Sequence, residues 1–274
     1  MLPSPHTSIE RLAGADTLLV CMDFDGTICP LGTDAYTVTP DPRAIAALET
    51  LAQLPGTDVA ILSGRHLDGL RKVCPLGPPV TLVGSHGAEP TTGGPELSPD
   101  DLAYLAEIQH SLEQLIDAPS TTLPGAFVEI KPYQRVLHVM KLAESDPAAA
   151  AAILQQAKDL PSHGRPVTPG HNILEFSALD ITKGSWLEAE KTRYSATLFA
   201  GDDVTDETAL KVLDTSPGAD VGIKVRPAGA GNTGAAPSDT AANYQIGSVS
   251  QVADFLTELA AARQSAQAET PSAK

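Results

Sequence analysis

Five short apolar runs decide what this chain can fold into. The first, residues 17–22 (TLLVCM), is continuous rather than alternating, the pattern of a strand covered on both faces. Residues 58–62 (DVAIL), 80–84 (VTLVG), 196–200 (ATLFA) and 220–225 also read as buried strands. Between the first two, residues 41–54 carry Ile45, Leu48, Leu51 and Ala52 near one helical face, with Asp41-Pro42 as a helix start. Strand, helix, strand in this order predicts a doubly wound, mostly parallel α/β sheet. Helices over 183–194 and 205–213, and a terminal helix marked by Val252, Phe255, Leu256 and Leu259, continue the rhythm.

The rhythm breaks at about residue 90. Residues 90–99 are rich in Gly, Pro and Thr and read as a linker. A helix over 98–116 follows, its stripe formed by Leu102, Leu105, Ile108, Leu112 and Leu115. Then come strands over 126–131 and 135–142, an alanine-rich helix over 146–160, and strands over 165–168 and 172–176 joined at Pro169-Gly170. This order predicts a small α+β unit, residues 93–178, inserted into a core made of residues 1–92 and 179–274. Residues 226–240 read as a Gly/Ala/Pro loop, residues 264–274 as a disordered tail, and there is no internal repeat.

Charge narrows the function classes. A formal net charge of −16 over 274 residues argues against nucleic acid or an anionic membrane as partner. A small anion remains admissible, because one metal ion and a few local cations reverse the field inside a pocket. Cys21, Cys29 and Cys74 form no disulfide framework. There is no basic-then-apolar leader and no apolar run of about eighteen residues, so the expected compartment is the cytoplasm and the expected state a monomer.

The chemistry-bearing residues stand directly after the strands. Asp23-Phe24-Asp25-Gly26-Thr27 follows the first one, at the end of a doubly wound sheet that opens into the ligand crevice. Two carboxylates so close need a cation, and a hard dication with oxygen ligands such as Mg²⁺ suits them. One Asp can attack phosphorus and form an acyl phosphate, while the other serves as acid and then base. Alone, the string reads more readily as a solvated Asp-Gly turn. The string 201–207 (GDDVTDE) follows 196–200 and offers further carboxylates for one ion; its alternative is an acidic first helical turn, the role expected of Glu207. Ser63-Gly64-Arg65 follows 58–62 and, at a helix start, makes either an anion cradle or a plain N-cap. Lys183-Gly184 opens a later helix and supplies a cation for the same phosphate.

These four pieces, in this order, resemble the haloacid dehalogenase-like phosphohydrolases, and the insertion falls where that superfamily carries its larger cap. More narrowly the chain resembles the trehalose-6-phosphate phosphatases, from about Leu18 to Leu259. The strings are 23–27 (DFDGT), 63–65 (SGR), 84–89 (GSHGAE), Glu129 with Lys131, Glu175, Lys183-Gly184 and 201–207, the last being the most specific. The resemblance implies Asp23 as nucleophile, Asp25 as general acid/base, and Ser63 and Lys183 on the phosphoryl group. It implies Mg²⁺ bound by Asp202 with Asp23 and the Asp25 carbonyl, and Asp203 or Asp206 holding metal-bound water. Substrate contacts fall to Gly64, Arg65, His86 and Gly87, and to Glu129, Lys131, His138 and Glu175 of the cap. One position departs: the family's His-x-Arg reads His138-Val139-Met140 here. The implied activity is hydrolysis of trehalose 6-phosphate. A phosphatase for sucrose phosphate or a mannosyl-phosphoglycerate is the alternative, and so is a non-catalytic phosphosugar-binding regulator, which Asp25 argues against.

Overall fold

The computed structural model describes residues 2–32, 36–118, 121–215, 218–226 and 240–269. The chain divides into two compact units, one of Met1–Gly94 with Ile181–Lys274, the other of Pro95–Asp180. In chain order the first contains α1 (Ile9–Ala13), β1 (Leu18–Met22), α2 (Pro42–Ala52), β2 (Thr57–Leu62), α3 (Leu67–Val73), β3 (Thr81–Gly84) and β4 (Glu89–Pro90). The second contains α4 (Pro99–Ile116), β5 (Asp117–Ala118), β6 (Thr121–Thr122), β7 (Phe127–Ile130), β8 (Gln134–His138), α5 (Met140–Ser145), α6 (Pro147–Lys158), β9 (Val167–Gly170) and β10 (Ile173–Ser177). The first unit resumes with α7 (Lys183–Lys191), β11 (Ala196–Gly201), α8 (Asp206–Leu210), β12 (Val221–Val225), β13 (Tyr244–Ile246) and α9 (Val249–Glu269). No helix among the described residues is long and apolar enough to cross a membrane.

The first unit is built on a seven-stranded sheet ordered β13-β12-β11-β1-β2-β3-β4. Neighbours pair in parallel except β3 with β4. Continuous apolarity of β1 is explained by its two covers. Leu18, Val20 and Met22 pack with Leu48 and Leu51 of α2 and Phe255 and Leu259 of α9. Leu19 and Cys21 point the other way, toward Leu187 of α7 and Ala209 of α8. Strand order turns at β1: the chain runs outward through β2 and β3, then returns to β11 on the other side. The carboxyl ends of β1 and β11 therefore flank the switch point at which doubly wound sheets bind ligands.

The second unit is a four-stranded antiparallel sheet ordered β7-β8-β10-β9. One face packs Val128, Leu137, Leu174 and Phe176 against Tyr104, Leu105 and Ile108 of α4 and Ile153 of α6. A capping box starts α4: the Ser98 hydroxyl accepts from the Asp101 N–H, and the Asp101 carboxylate accepts from the Ser98 N–H.

Several elements differ from the sequence expectation. The predicted strand 135–142 ends at His138, and residues 140–145 are helical; Val139, Leu142 and Ala143 recur at helical spacing and sink into the α4–α6 core. The last hairpin turns at His171-Asn172, not at Pro169-Gly170, and Asn172 carries the left-handed backbone (φ 58°). Pro169 is tolerated inside β9 because that strand is an edge. Both α7 and α8 stop short of their expected ends, where tighter i→i−3 bonds such as Arg193 N–H to the Glu190 carbonyl take over.

The predicted tail is also ordered in part, because α9 runs through residues 264–269. Its Arg263 is 1% exposed and donates to Thr57 Oγ1 (2.5 Å) and to the carbonyls of Leu12, Ala13, Ala15 and Gly56. Residues 270–274 of that tail, and residues 227–239 of the expected loop, lie outside the described residues. Arg263→Met keeps the stem but leaves buried carbonyls without donors, and is expected to lower the unfolding free energy by about 3 kcal/mol or more. Urea denaturation at neutral pH measures this, with Arg263→Lys recovering only part of the loss.

Candidate active site

Asp23 is the first residue beyond β1 and is 4% exposed. Its N–H donates to the Ala200 carbonyl of β11 (2.9 Å), which extends the ladder by one bond and fixes the backbone there. The Oδ1 atom accepts from Lys183 Nζ (2.6 Å) and Oδ2 from Thr27 Oγ1 (3.1 Å). Lys183 opens α7, whose start is secured by a reciprocal cap between Thr182 and Ser185. Its ammonium, 2% exposed, also donates to Asp206 Oδ1 (2.6 Å). Asp206 is fully buried at the start of α8, and its Oδ2 accepts from the Asp203 N–H (2.9 Å).

Asp202 follows β11 and completes the group. One carboxylate oxygen from each of Asp23, Asp202 and Asp206 lies within 4.8 Å of the others. Gly26 makes this approach sterically feasible: its φ is +77°, and a Cβ there would fall on the Asp202 carboxylate. At an effective dielectric constant of about 20, each pair of full charges at such a spacing repels by about 3–4 kcal/mol. One ammonium answers three carboxylates. The surplus negative charge and the all-oxygen donor set fit a hard divalent cation.

The protonation equilibria carry the same imprint. Burial, then the neighbouring carboxylates, push the Asp23 carboxyl well above the ordinary aspartate range, against the pull of Lys183. Burial raises Asp206 too. Asp202 is pushed up to about 7 by burial, with Asp206 and Asp203 adding to it. Burial alone would lower the Lys183 ammonium, but Asp23 and Asp206 together overcome it and hold that group above the usual lysine value.

Asp25 stands two residues beyond Asp23 and is gripped by Arg65, whose Nε and Nη2 donate to its two oxygens at 2.6 Å each. The Arg65 N–H donates to Ser63 Oγ (3.1 Å), and the Ser63 N–H donates to the Val83 carbonyl of β3. His86 belongs to this group: its N–H donates to the Ser63 carbonyl, and its ring lies where a Cβ at Gly64 would be. Gly87, at φ +116°, abuts Thr182 and Trp186 next to Lys183. The strings 23–27, 63–65, 84–89 and 183–184 are thus tied to one another within the first unit.

Four further predicted residues gather in the second unit. Lys131 Nζ pairs with Glu175 Oε2 (3.1 Å), both buried, and His138 Nε2 with Glu129 Oε2 (2.9 Å). All four stand on the sheet face opposite α4 and α6.

Some placements differ from expectation. Ser63 is not at a helix start; α3 begins at Leu67 and is capped by His66, whose Nδ1 accepts from the Gly69 N–H. Asp203 does not join the carboxylate trio. Its Oδ1 accepts from the Asp206 N–H and Thr205 Oγ1, so it braces the turn into α8. Glu207 is not merely a helix-start charge: it pairs with Lys224 (2.9 Å) and accepts from the Ala241 N–H. Met140 lies in α5 rather than in a strand, 45% exposed. Sequence reasoning assigned no role to Thr27, though its place four residues after Asp23 in a tight turn is a readable signal.

The trehalose-phosphatase family model matches residues 21–244. The trehalose-phosphate phosphatase of Mycobacterium ulcerans (strain Agy99) is 31% identical over 252 residues, which cover 88% of this chain and 61% of that protein. The chain thus spans about three fifths of the length of that relative. Among solved structures, the C-terminal domain of C. albicans trehalose-6-phosphate phosphatase aligns with a TM-score of 0.72 at 19% identity, over 95% of this chain and 99% of that one. Aspergillus fumigatus trehalose-6-phosphate phosphatase aligns at 0.65 and 21%, with the same coverage. These two likenesses establish the fold: a mostly parallel α/β core with an inserted antiparallel unit.

A divalent cation must displace the proton that Asp202 holds at about pH 7. Apparent Mg²⁺ affinity is therefore expected to rise about tenfold from pH 6 to pH 8, as the ionised fraction of Asp202 does. Isothermal titration at the two pH values measures it.

Proposed function

The chain belongs to the trehalose-phosphatase family, and from that premise we propose that it hydrolyses trehalose 6-phosphate through a phospho-aspartyl intermediate on Asp23. The observation that carries this reading is the Asp23–Lys183–Asp206 arrangement at the sheet's switch point, with Asp202 beside it.

In the first step an Asp23 carboxylate oxygen attacks phosphorus, the bond to the sugar oxygen breaks, and Asp25 gives that oxygen its proton. In the second, water attacks the phospho-aspartate, Asp25 takes the water's proton, and inorganic phosphate leaves with Asp23 restored. Lys183 binds the phosphoryl oxygens and offsets the charge that otherwise raises Asp23. Ser63 donates its hydroxyl to the same group. Mg²⁺ would be held by Asp23, Asp202 and Asp206 with the Asp25 carbonyl, and would supply charge neutralisation for the phosphoryl group.

Arg65 connects substrate arrival to acid catalysis. Its two bonds to Asp25 engage both carboxylate oxygens. A phosphoryl dianion offers Arg65 another partner, and the Asp25 carboxyl is then free to turn to the leaving oxygen. Glu129, Lys131, His138 and Glu175 recognise sugar hydroxyls, with charges already oriented by their pairing. Met140, at the position where the family pattern has arginine, favours a second substrate class for comparison: sucrose phosphate or a mannosyl-phosphoglycerate.

Phosphate release from a panel of these sugar phosphates, with Mg²⁺ and with chelator, tests the reading. Trehalose 6-phosphate is expected to be the preferred substrate, chelator to abolish turnover, and Asp23→Asn to eliminate it while the circular-dichroism spectrum is kept. Turnover retained by Asp23→Asn would sink the mechanism.

A further inference from the structure

Phe127 is a large apolar side chain left 50% exposed on the sheet face that also carries Glu129, His138 and Glu175. Side chains alternate along a strand. In β7, Val128 points into the α4–α6 core, so Phe127 and Glu129 stand on the opposite face, about 7 Å apart along the strand. Strand register places Phe127 across from His138, and Glu129 across from Val136; Val136 in turn is paired with Glu175 on β10. Phe127, Glu129 and His138 are therefore neighbours on one surface, and Glu175, paired with Lys131, stands on the same face two strands away.

The two rings are arranged specifically. Phe127 and His138 lie parallel, 2° between planes and 4.6 Å between centroids, the offset-stacked geometry in which aromatic pairs attract. His138 is itself fixed by its bond to Glu129. The Phe127 ring thus has one covered side and one open side, and its orientation is set by a hydrogen-bonded partner. A single exposed phenylalanine needs no explanation. One that is stacked on a braced imidazole, with two carboxylates and an ammonium on the same sheet face, has the composition of a ligand floor: an apolar plane with polar groups beyond its edge.

A pyranose has the complementary surface. Its C–H bonds give it an apolar, weakly positive face that fits the negative face of an aromatic ring, and its equatorial hydroxyls form a polar rim for Glu129, Lys131 and Glu175. We propose that Phe127, stacked on His138, is the floor of a pyranose subsite and a specificity-determining residue for a glycosyl phosphate. The inference rests on the sugar-phosphate reading above and adds the residue that recognises the ring itself rather than its hydroxyls.

The test is steady-state kinetics of the wild type, Phe127→Ala and Phe127→Trp with Mg²⁺, using trehalose 6-phosphate and an acyclic phosphate monoester, glycerol 1-phosphate. The expected result is that Phe127→Ala raises KM for trehalose 6-phosphate about tenfold with little change in kcat. Its kcat/KM for trehalose 6-phosphate should fall relative to glycerol 1-phosphate, and Phe127→Trp should restore the wild-type KM to within about threefold. A general structural role predicts instead a loss of kcat, or an equal loss on both substrates, and either result overturns the proposal. An unchanged KM in Phe127→Ala overturns it as well, while leaving the hydrolytic function intact. If the wild type does not turn over trehalose 6-phosphate, the functional reading fails first and this inference falls with it.

Discussion

The rest of the first unit is organised around one ammonium. Lys183 Nζ sits between Asp23 and Asp206 at 2.6 Å from each, with almost no solvent contact. Those three residues come from the end of β1, the start of α7 and the start of α8, so the ion group pins three elements at one edge of the sheet. Removing the lysine would leave two buried carboxylates without an answering charge, a change that costs about 3–5 kcal/mol when a buried pair is broken. The sheet order is what makes the pinning feasible. Only with β11 directly beside β1 can Asp23 and Asp202 both reach a single point.

Charge and backbone shape constrain each other here. Asp202 comes close to Asp23 because Gly26 lacks a side chain and adopts positive φ. Asp25 is kept apart from that cluster by Arg65, whose guanidinium also lies over the Phe24 ring, 5.8 Å from its centroid. Two aspartates one residue apart therefore have different environments: Asp23 is buried against Lys183, whereas Asp25 is partly exposed and held by Arg65. Separating two carboxylates in this way gives them different environments, the condition under which one site can assign two carboxylates different roles. The local rule that like charges avoid one another is broken only where the chemistry needs it.

The sequence made much of this legible because both signals are one-dimensional. Buried parallel strands must be continuously apolar, so the runs at 17–22, 58–62 and 196–200 announced the doubly wound sheet, and the residues after them announced its crevice. What stayed hidden depended on tertiary context. Arg263 reads as a helix-end charge, yet it is swallowed by carbonyls from α1 and the loop before β2. The stretch from Arg135 to Leu142 alternates well enough to read as one long strand, and only packing against α4 reveals that its second half coils. Pro169-Gly170 carries the strongest turn signal of the last hairpin, but among the described residues β9 is an edge strand with no partner on its outer side, where a proline is tolerated, and the turn passes to Asn172. Asp203 and Asp206 have the same chemistry on paper; the turn between them decides which carboxylate faces Lys183 and which one braces the backbone.

The second unit uses charge for a different end. Its Lys131–Glu175 pair is buried on a sheet face, where ion pairs add little net stability over apolar residues of similar size. Stability of that unit resides on the other face, in the packing of Leu137, Leu174 and Phe176 against α4 and α6. The polar face is therefore free to be chosen for recognition, and its members already hold one another in place: Glu129 fixes His138, and His138 fixes the plane of Phe127. Such a surface loses little rotamer freedom when a ligand's hydroxyls replace the internal partners. A carboxylate that gives up one hydrogen bond gains another of similar strength, so a ligand on such a face would be discriminated by shape and stacking more than by the sum of its charges.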